Sequence, residues 1–507
     1  MPARNLLFLA VAVLFTACGG RSEAPRANVV LIVVDTLRGD HAVGAGRDVP
    51  TPNLDRLAAD GVVFERAFSH TSWTLPSHTA LFSSRHPHQT GVLLNAQRIP
   101  EDLPLLPEWL AGRGYRTEAV VSLCSLVPAG DVNRIDRGFE AYDDRMRRVL
   151  NPADAAVGHM REALDRAEAD ERPLFLFAHF ADPHQPYRAH GTRQSAAEVV
   201  FDGEVVGEVQ NLAGFDPFRA KLRMAPGENR LSVVAETPFS VKYVGVETPA
   251  GRLVAEYDSV HVASEVEVRV QNPGDAAVEA DIELWAWDAT DAAEARRRYE
   301  LEVAFFDLHL GAFLDDLRAR GLYDDALIVL TADHGEGLGE HGLIDHGLNC
   351  FDEQLHVPLI VKPPAGHAAR AELGHQADGI ARHIDVVPTI LHVLDLAPLP
   401  GQEGVSLLQP AERVLLAETH AVAVDDYFAL RDERRKLLFS PARDQFLLFD
   451  LTSDPDEERP IQQLEGRDLD AWMERLRAVA ARSADASDVD RTVDDETRAK
   501  LEAMGYF

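Results

Sequence analysis

The sequence predicts an α/β protein: a mostly parallel central sheet between helices, an inserted β-sandwich, and a smaller α+β region at the end of the chain. Three observations lead there. Four apolar runs, "NVVLIVVD" (28–35), "TEAVVS" (117–122), "PLFLFAHF" (173–180) and "ALIVLTADHG" (326–335), are continuous rather than alternating, as strands covered on both faces require. Helix-period segments separate them. Between residues 193 and 290 the pattern changes to apolar–polar alternation, as in "AEVVFDGEVVGEV" and "SEVEVRVQNPGDAAVEADIELWAW", which belongs to strands with one solvated face. At 507 residues the chain also exceeds what a single core serves.

Taken in order, "MPARNLLFLAVAVLFTACGG" reads as a secretory signal, with Arg4 before an apolar stretch and small residues up to Cys18. It is too short to cross a bilayer as a helix. "LFTAC" resembles a bacterial lipobox, so the expectation is an extracytoplasmic protein, periplasmic or held at the outer membrane through a lipidated Cys18. Plain secretion is the alternative. Cys124 and Cys350 then remain, which makes no disulfide framework. After residues 1–18, the pattern divides the chain into a first α/β segment (27–192), the insert (193–290), a second α/β segment (291–400) and a C-terminal region (401–507).

In "TPNLDRLAADGVVFERAF", Leu54, Leu57 and Ala58 recur at helical spacing behind Thr51 as cap and Pro52. "LPLLPEWLAGRG" closes on glycine. In the insert "NPGD" (272–275) is a turn between two strands, and Trp285 and Trp287 share a face that suits a core better than a carbohydrate-binding surface. "ARRRYELEVAFFDLHLGAFLDDLRARG" carries a helical stripe ended by Gly321. "IDVVPTILHVLDL", "KLLFSP" and "QFLLFDL" build the C-terminal region, and Asp485–Glu496 is an acidic, solvated segment before a last helix. A formal net charge of −33 without a basic run excludes a non-specific grip on nucleic acid or an anionic membrane surface.

In open α/β sheets ligands bind beyond the carboxyl ends of the strands, and Asp35, His179 and Asp333 all lie there. The same edge receives the loop from Thr74 to Arg85, "HFADPHQPY" (179–187) and "ADHGEGLGEHGLIDHG" (332–347). Carboxylates, imidazoles and a hydroxyl together make a metal site, and Gly335 and Gly337 are expected to give the backbone the freedom to turn Asp333 and His334 inward.

"TLPSHTALFSS", "NVVLIVVDTLRGD", "HFADPHQPY", "YDDALIVLTADHGEGLGEHG", "HVPLIVKPP", "IDVVPTILHVL" and "LEAMGYF" follow the order of the corresponding segments in the sulfatase family. By these motifs the chain resembles that family, part of the alkaline-phosphatase-like superfamily, over most of residues 28–507 apart from the insert. The resemblance implies an alkaline-phosphatase-like sandwich and an ester hydrolase that takes an anionic ester. It implies Asp35, Thr36, Thr74, Asp333 and His334 as metal ligands, Thr36 the weakest because it replaces an aspartate. His184 and His346 fall where the family contacts the transferred group or protonates the leaving group.

Two departures matter. Sulfatases convert a signature cysteine or serine into formylglycine, whereas this chain has Thr74, and His78 replaces the signature arginine. The lysine and histidine that many sulfatases place after "GY" are also missing; "GYRTEAVVS" offers only Ser122. Phosphoryl-transferring cousins use a threonine in that place as a direct, metal-bound nucleophile. The resulting expectation is in-line attack by Thr74 on a phosphate or phosphonate ester, with His184, His346 and His78 in the catalytic set and one or two divalent ions. A nitrogen ligand at position 334 points to zinc or manganese ahead of calcium. The alternatives are a sulfuric ester hydrolase working without formylglycine, and a sulfatase-like binding protein that has lost turnover.

Overall fold

The computed structural model describes residues 26–486 apart from 45–46, 48, 96, 129–132, 146–150, 186, 188–195, 210–217, 257–262, 289–291, 421–424 and 462–466. The leader with Cys18, the last helix with "LEAMGYF" and nearly all of the acidic Asp485–Glu496 segment lie outside these residues, as do the side chains of Trp285 and Trp287. No helix among the described residues is long and apolar enough to cross a membrane.

The four continuous apolar runs form four strands of one seven-stranded sheet. Its strands are β1 (Val29–Val34), β2 (Val62–Val63), β3 (Arg116–Val120), β4 (Ala141–Asp143), β5 (Leu174–Phe180), β6 (Leu327–Ala332) and β7 (Leu359–Lys362), in the spatial order β2-β7-β6-β1-β5-β3-β4. From β6 to β4 every pair is parallel; β7 and β2 extend one edge antiparallel. Every residue of β1, β5 and β6 is buried, which is why these runs do not alternate.

Two groups of helices pack on the sheet. α1 (Pro52–Asp60), α3 (Ala153–Glu168) and the 28-residue α4 (Ala292–Ala319) form one, and α2 (Thr74–Ser83), Leu106–Ala111 and α5 (Val386–Val393) form the other. α1 departs from its sequence reading in two ways. It stops at Asp60, and the following residues form β2 and a short strand, Ala67–Phe68. Thr51 does not cap it: the Thr51 hydroxyl donates to Ala42 O (2.7 Å), while the Asn53 and Leu54 N–H groups donate to the Asp307 carboxylate of α4 (2.8–3.1 Å). A carboxylate supplied in trans satisfies the first-turn donors and docks the two helices together.

Among the described residues the insert forms eight strands in a single sheet. Its 22-residue strand Gly227–Thr248 pairs through its first half with Ala197–Phe201 and Ala263–Asn272, and through its second with Val278–Asp288. The sheet encloses its own apolar core of residues such as Val199, Leu231, Val268 and Ile282, separate from the main core.

In the C-terminal region four antiparallel strands between Leu415 and Asp450 pack against the helix Arg467–Ala486. Glu418 joins this region to the main domain. Fully buried, it accepts hydrogen bonds from the His88 N–H (2.8 Å), His88 Nδ1 (2.7 Å) and Ser483 Oγ (2.8 Å), with His420 Nε2 at 3.3 Å. The next link reaches the functional edge, since Trp73 Nε1 donates to His420 O (2.6 Å) immediately before Thr74. Burial opposes a charge on His420, but the Asp426 and Glu418 carboxylates outweigh it and push the imidazole up to about 9. A raised histidine contributes stability that is complete below its unfolded value near 6.5 and is lost as pH rises through about 9. Melting temperature measured from pH 6 to pH 10 is therefore expected to fall across that window by the equivalent of roughly 3 kcal/mol at most, and His420→Gln to flatten the fall. An unchanged profile in the variant removes His420 from the joint.

Candidate functional site

Register builds the site. Val34 pairs with Ala332, so the next residues, Asp35 and Asp333, leave the sheet side by side. His179 pairs with Val33, two residues before Asp35 and therefore on the same face of the sheet. All three are fully buried. Thr36 follows with φ 56°, a left-handed backbone that a β-branched residue rarely adopts. Asp333 and Tyr299 hold it there: the Thr36 N–H donates to Asp333 Oδ1 (3.1 Å) and the Tyr299 hydroxyl to Thr36 O (2.8 Å). Arg38 ties the same loop to the one after β6 by donating to Glu336 O (3.2 Å) and Glu340 Oε1 (2.9 Å).

Beyond β6, Asp333 Oδ1 also accepts the His334 N–H (2.9 Å). Gly335 and Gly337 act here through space rather than freedom, which corrects the sequence reading. Neither has a left-handed φ, but a Cβ at Gly335 would stand 2.2 Å from Glu353 O and one at Gly337 2.9 Å from Asp345 O. Only a residue without a side chain lets these backbones meet.

One ligand atom each from Asp35, Asp333 and His334 lies within 4.8 Å of the other two. Both Asp35 oxygens, Asp333 Oδ2, His334 Nε2, Thr36 Oγ1 and Thr74 Oγ1 are buried without a hydrogen-bond partner among the described residues. Leaving one such atom unsatisfied costs about 1–3 kcal/mol, and here six converge at one strand edge. His334 Nδ1 faces Gly335 O at 2.9 Å; a carbonyl only accepts, so Nδ1 carries the proton and Nε2 presents a lone pair. Two carboxylates, an imidazole lone pair and hydroxyl oxygens are the donor set that a divalent cation satisfies.

Thr74 is the first residue of α2, following Trp73 in an extended conformation. The Leu75 N–H donates to Asn95 Oδ1 (2.8 Å), which locks the first turn. His78, one turn on, donates from Nδ1 to Thr74 O (2.8 Å), and the same nitrogen lies 3.8 Å from Asp333 Oδ2. The imidazole thus links Thr74 to the carboxylates, and burial holds it below its usual range, neutral at neutral pH.

On the other side, the rings of His184 and His346 meet at 4.9 Å and those of His346 and His334 at 4.6 Å. Gly337–Leu338 pairs antiparallel with Ile344–Asp345, a tight hairpin that folds His346 back onto Glu336. His346 Nδ1 lies 3.1 Å from Glu336 Oε1 and 3.6 Å from Asp345 Oδ1. Burial lowers His346, but these carboxylates outweigh it and raise it to about 9, whereas burial leaves His184 and His334 well below the usual value. For Asp35, burial first and then the negative charges of Asp333 and Glu336 raise the carboxyl well above its normal range.

The sequence-derived residues Asp35, Thr36, Thr74, His78, Asp333, His334, His184 and His346 therefore all lie at this edge of the sheet. Sequence reasoning missed Glu336 and Asn95, and gave His179 no role although it placed it at a strand end. Glu336 had a signal in "DHGEG", an acidic residue between glycines two positions after a ligand candidate. Asn95 had none, since it acts through a contact 20 residues away.

Residues 27–396 match the family model described as Sulfatase. The N-acetylglucosamine-6-O-sulfatase of Bacteroides thetaiotaomicron is 23% identical over 505 residues, covering 91% of this chain and 87% of the relative. The choline-sulfatase of Rhizobium meliloti is 25% identical over 450 residues, covering 84% and 81%. Among solved structures, the phosphonate monoester hydrolase of Agrobacterium radiobacter superposes with a TM-score of 0.58 at 21% identity, covering 90% of this chain and 96% of that one.

Proposed function

The chain belongs to the sulfatase family of hydrolases, and from that premise we propose that it is a metal-dependent phosphate or phosphonate ester hydrolase whose nucleophile is the Thr74 hydroxyl. One observation carries the reading: the Thr74 hydroxyl, which we align with the signature cysteine or serine of the family, lies buried and without a hydrogen-bond partner among the described residues at a helix start, at the strand edge where both Asp35 oxygens and Asp333 Oδ2 are buried and unpartnered as well. The chemistry of the donor set suits zinc or manganese, held by Asp35, Asp333 and His334 with the oxygens of Thr36 and Thr74. When bound, such an ion lowers the pKa of a coordinated hydroxyl and offsets charge on the transferred group.

Thr74 Oγ1, its proton released to solvent, attacks phosphorus in line and the bond to the leaving oxygen breaks. The leaving oxygen takes a proton from His346 Nε2, while Nδ1 stays fixed by Glu336. Water then attacks phosphorus and gives one proton back to His346 as the bond to Thr74 Oγ1 breaks, and the Thr74 oxygen regains its proton from solvent. His184, packed on His346, contacts the non-bridging oxygens. His78 orients the first turn of α2 through Thr74 O rather than contacting the anion as an arginine would. We also place the enzyme outside the cytoplasm, on the strength of the leader-like segment ending at Cys18.

A panel of phosphate monoesters, phosphate diesters, phosphonate esters and aryl sulfates, each assayed with zinc, manganese and calcium, tests the reading. Turnover of a phosphorus ester is expected, with Thr74 unmodified in the peptide mass spectrum. Aryl sulfates as the best substrates by a wide margin would sink it in favour of a threonine-variant sulfuric ester hydrolase, the second reading, which the sulfatase names of the sequence relatives favour. No turnover of any class and no bound metal would leave the binding-protein reading. Within the proposal, His346→Ala is expected to lower kcat about 100-fold or more with little change in KM, as loss of a general acid does. A purely KM effect would make His346 a binding residue.

A further inference from the structure

His383 takes no part in the chemistry proposed above, yet the hydrogen bonds around it end on the elements that do. It is buried in the turn His383–Asp385 that leads into α5, with Nδ1 3.3 Å from Ser77 Oγ and Nε2 3.3 Å from Thr331 Oγ1. Ser77 lies on α2, three residues after Thr74. Its Oγ stands 2.6 Å from the Asp333 carbonyl oxygen and 3.2 Å from Ser69 Oγ.

The acceptors fix where the protons sit. A carbonyl only accepts, so Ser77 Oγ spends its single proton on Asp333 O. Ser69 Oγ likewise donates to Thr71 O (2.7 Å) and has no proton left for Ser77. Among the described residues the donor that remains for Ser77 Oγ is His383 Nδ1–H, and because burial holds this imidazole well below its ordinary value, Nε2 keeps a lone pair. The Thr331 hydroxyl, which is also 3.3 Å from Ala332 O, supplies the donor that a buried lone pair needs.

The result is a closed clamp that runs from Thr331 to His383 to Ser77 to Asp333, leaving the end of β6, passing through α2 and returning to the same strand end. We propose that His383 is a positioning residue for the reaction: through Ser77 it fixes the helix start that carries Thr74 against the strand end that carries Asp333 and His334. The inference rests on Thr74 as nucleophile beside a metal site but not on which ester is cleaved. A displacement of about 1 Å between reacting groups costs about 100-fold in rate, so a clamp without contact to substrate still governs turnover.

The test is steady-state kinetics of the full-length protein with excess zinc or manganese, on whichever ester of the panel it turns over best. His383→Ala and Ser77→Ala are each expected to lower kcat about 10- to 100-fold with little change in KM. The double variant should lose no more than either single one, because the two side chains form one link. An asparagine amide at position 383 reaches where Nδ1 stands and a glutamine amide where Nε2 stands, so His383→Asn should recover most of the rate and His383→Gln little of it. Wild-type kcat in His383→Ala, even with a lowered melting temperature, overturns the proposal, and so do losses that multiply in the double variant. Equal rates for the asparagine and glutamine variants overturn it too, and that comparison decides the matter if the alanine variant does not fold. An inactive Thr74→Ala in the same assays leaves the proposed function standing after such a failure. A wild type that turns over no ester, or a Thr74→Ala that keeps its turnover, defeats both.

Discussion

Thr74→Ala is expected to abolish turnover while the protein keeps its fold. The change deletes a hydroxyl and a methyl group from a fully buried residue whose hydroxyl has no hydrogen-bond partner among the described residues. No intramolecular bond is lost with it, and alanine is the better helix former at the start of α2. Melting temperature is therefore expected to stay within a few degrees of wild type. Removing a nucleophile from a site that acts as a unit lowers kcat by several orders of magnitude, roughly 10⁴-fold or more. Thr74→Ser tests the same atom in the other direction, because it retains the oxygen and should keep substantial activity. If the alanine variant retained even a tenth of wild-type turnover on the best substrate of the panel, the attack would have to come from elsewhere.

Removal of metal is expected to have the second-largest effect, and on two readouts. Asp35 and Asp333 are buried together with their charges only partly met: burial raises both carboxyls, with Asp333 and Glu336 adding to the rise at Asp35. Without a cation the cluster must take up a proton or repel. Chelation should thus abolish activity and lower the melting temperature. Zinc or manganese at a thousand times its dissociation constant should restore activity and about 4 kcal/mol of stability by mass action. Asp333→Asn should be insensitive to both chelation and metal, since it removes a ligand and a source of repulsion together. A chelated wild type that melts unchanged and turns over at its original rate would mean that the carboxylates are compensated from within the protein.

Much of the architecture was legible before any coordinates. Continuous apolar runs mark strands covered on both faces, and all four such runs are strands of the central sheet. The change to alternation at residue 193 marks strands with one wet face, and the insert's described strands all pair antiparallel. Boundaries were less legible where a partner distant in sequence decides them: α1 begins where Asp307 of α4 can reach its amides, not where Thr51 offers a hydroxyl.

By itself the sequence determined the strand order of the motifs along the chain, the family, and the chemical types gathered at one edge: Asp35 and Asp333 at strand ends, Thr74 at a helix start, His334 next to a carboxylate. These follow from periodicity and from the rule that parallel strands deliver their carboxyl ends to one side. Which nitrogen of each imidazole faces the pocket was decided only once the chain was folded: locally by the Thr74 carbonyl at His78 and the Gly335 carbonyl at His334, and through contacts between elements by the Ser122 hydroxyl at His179 and the Glu336 carboxylate at His346. A histidine in a sequence is two tautomers and a cation. The partner at one ring nitrogen selects among them, and at His179 and His346 it comes from a neighbouring strand or across a hairpin, from pairings that hydrophobic periodicity does not encode.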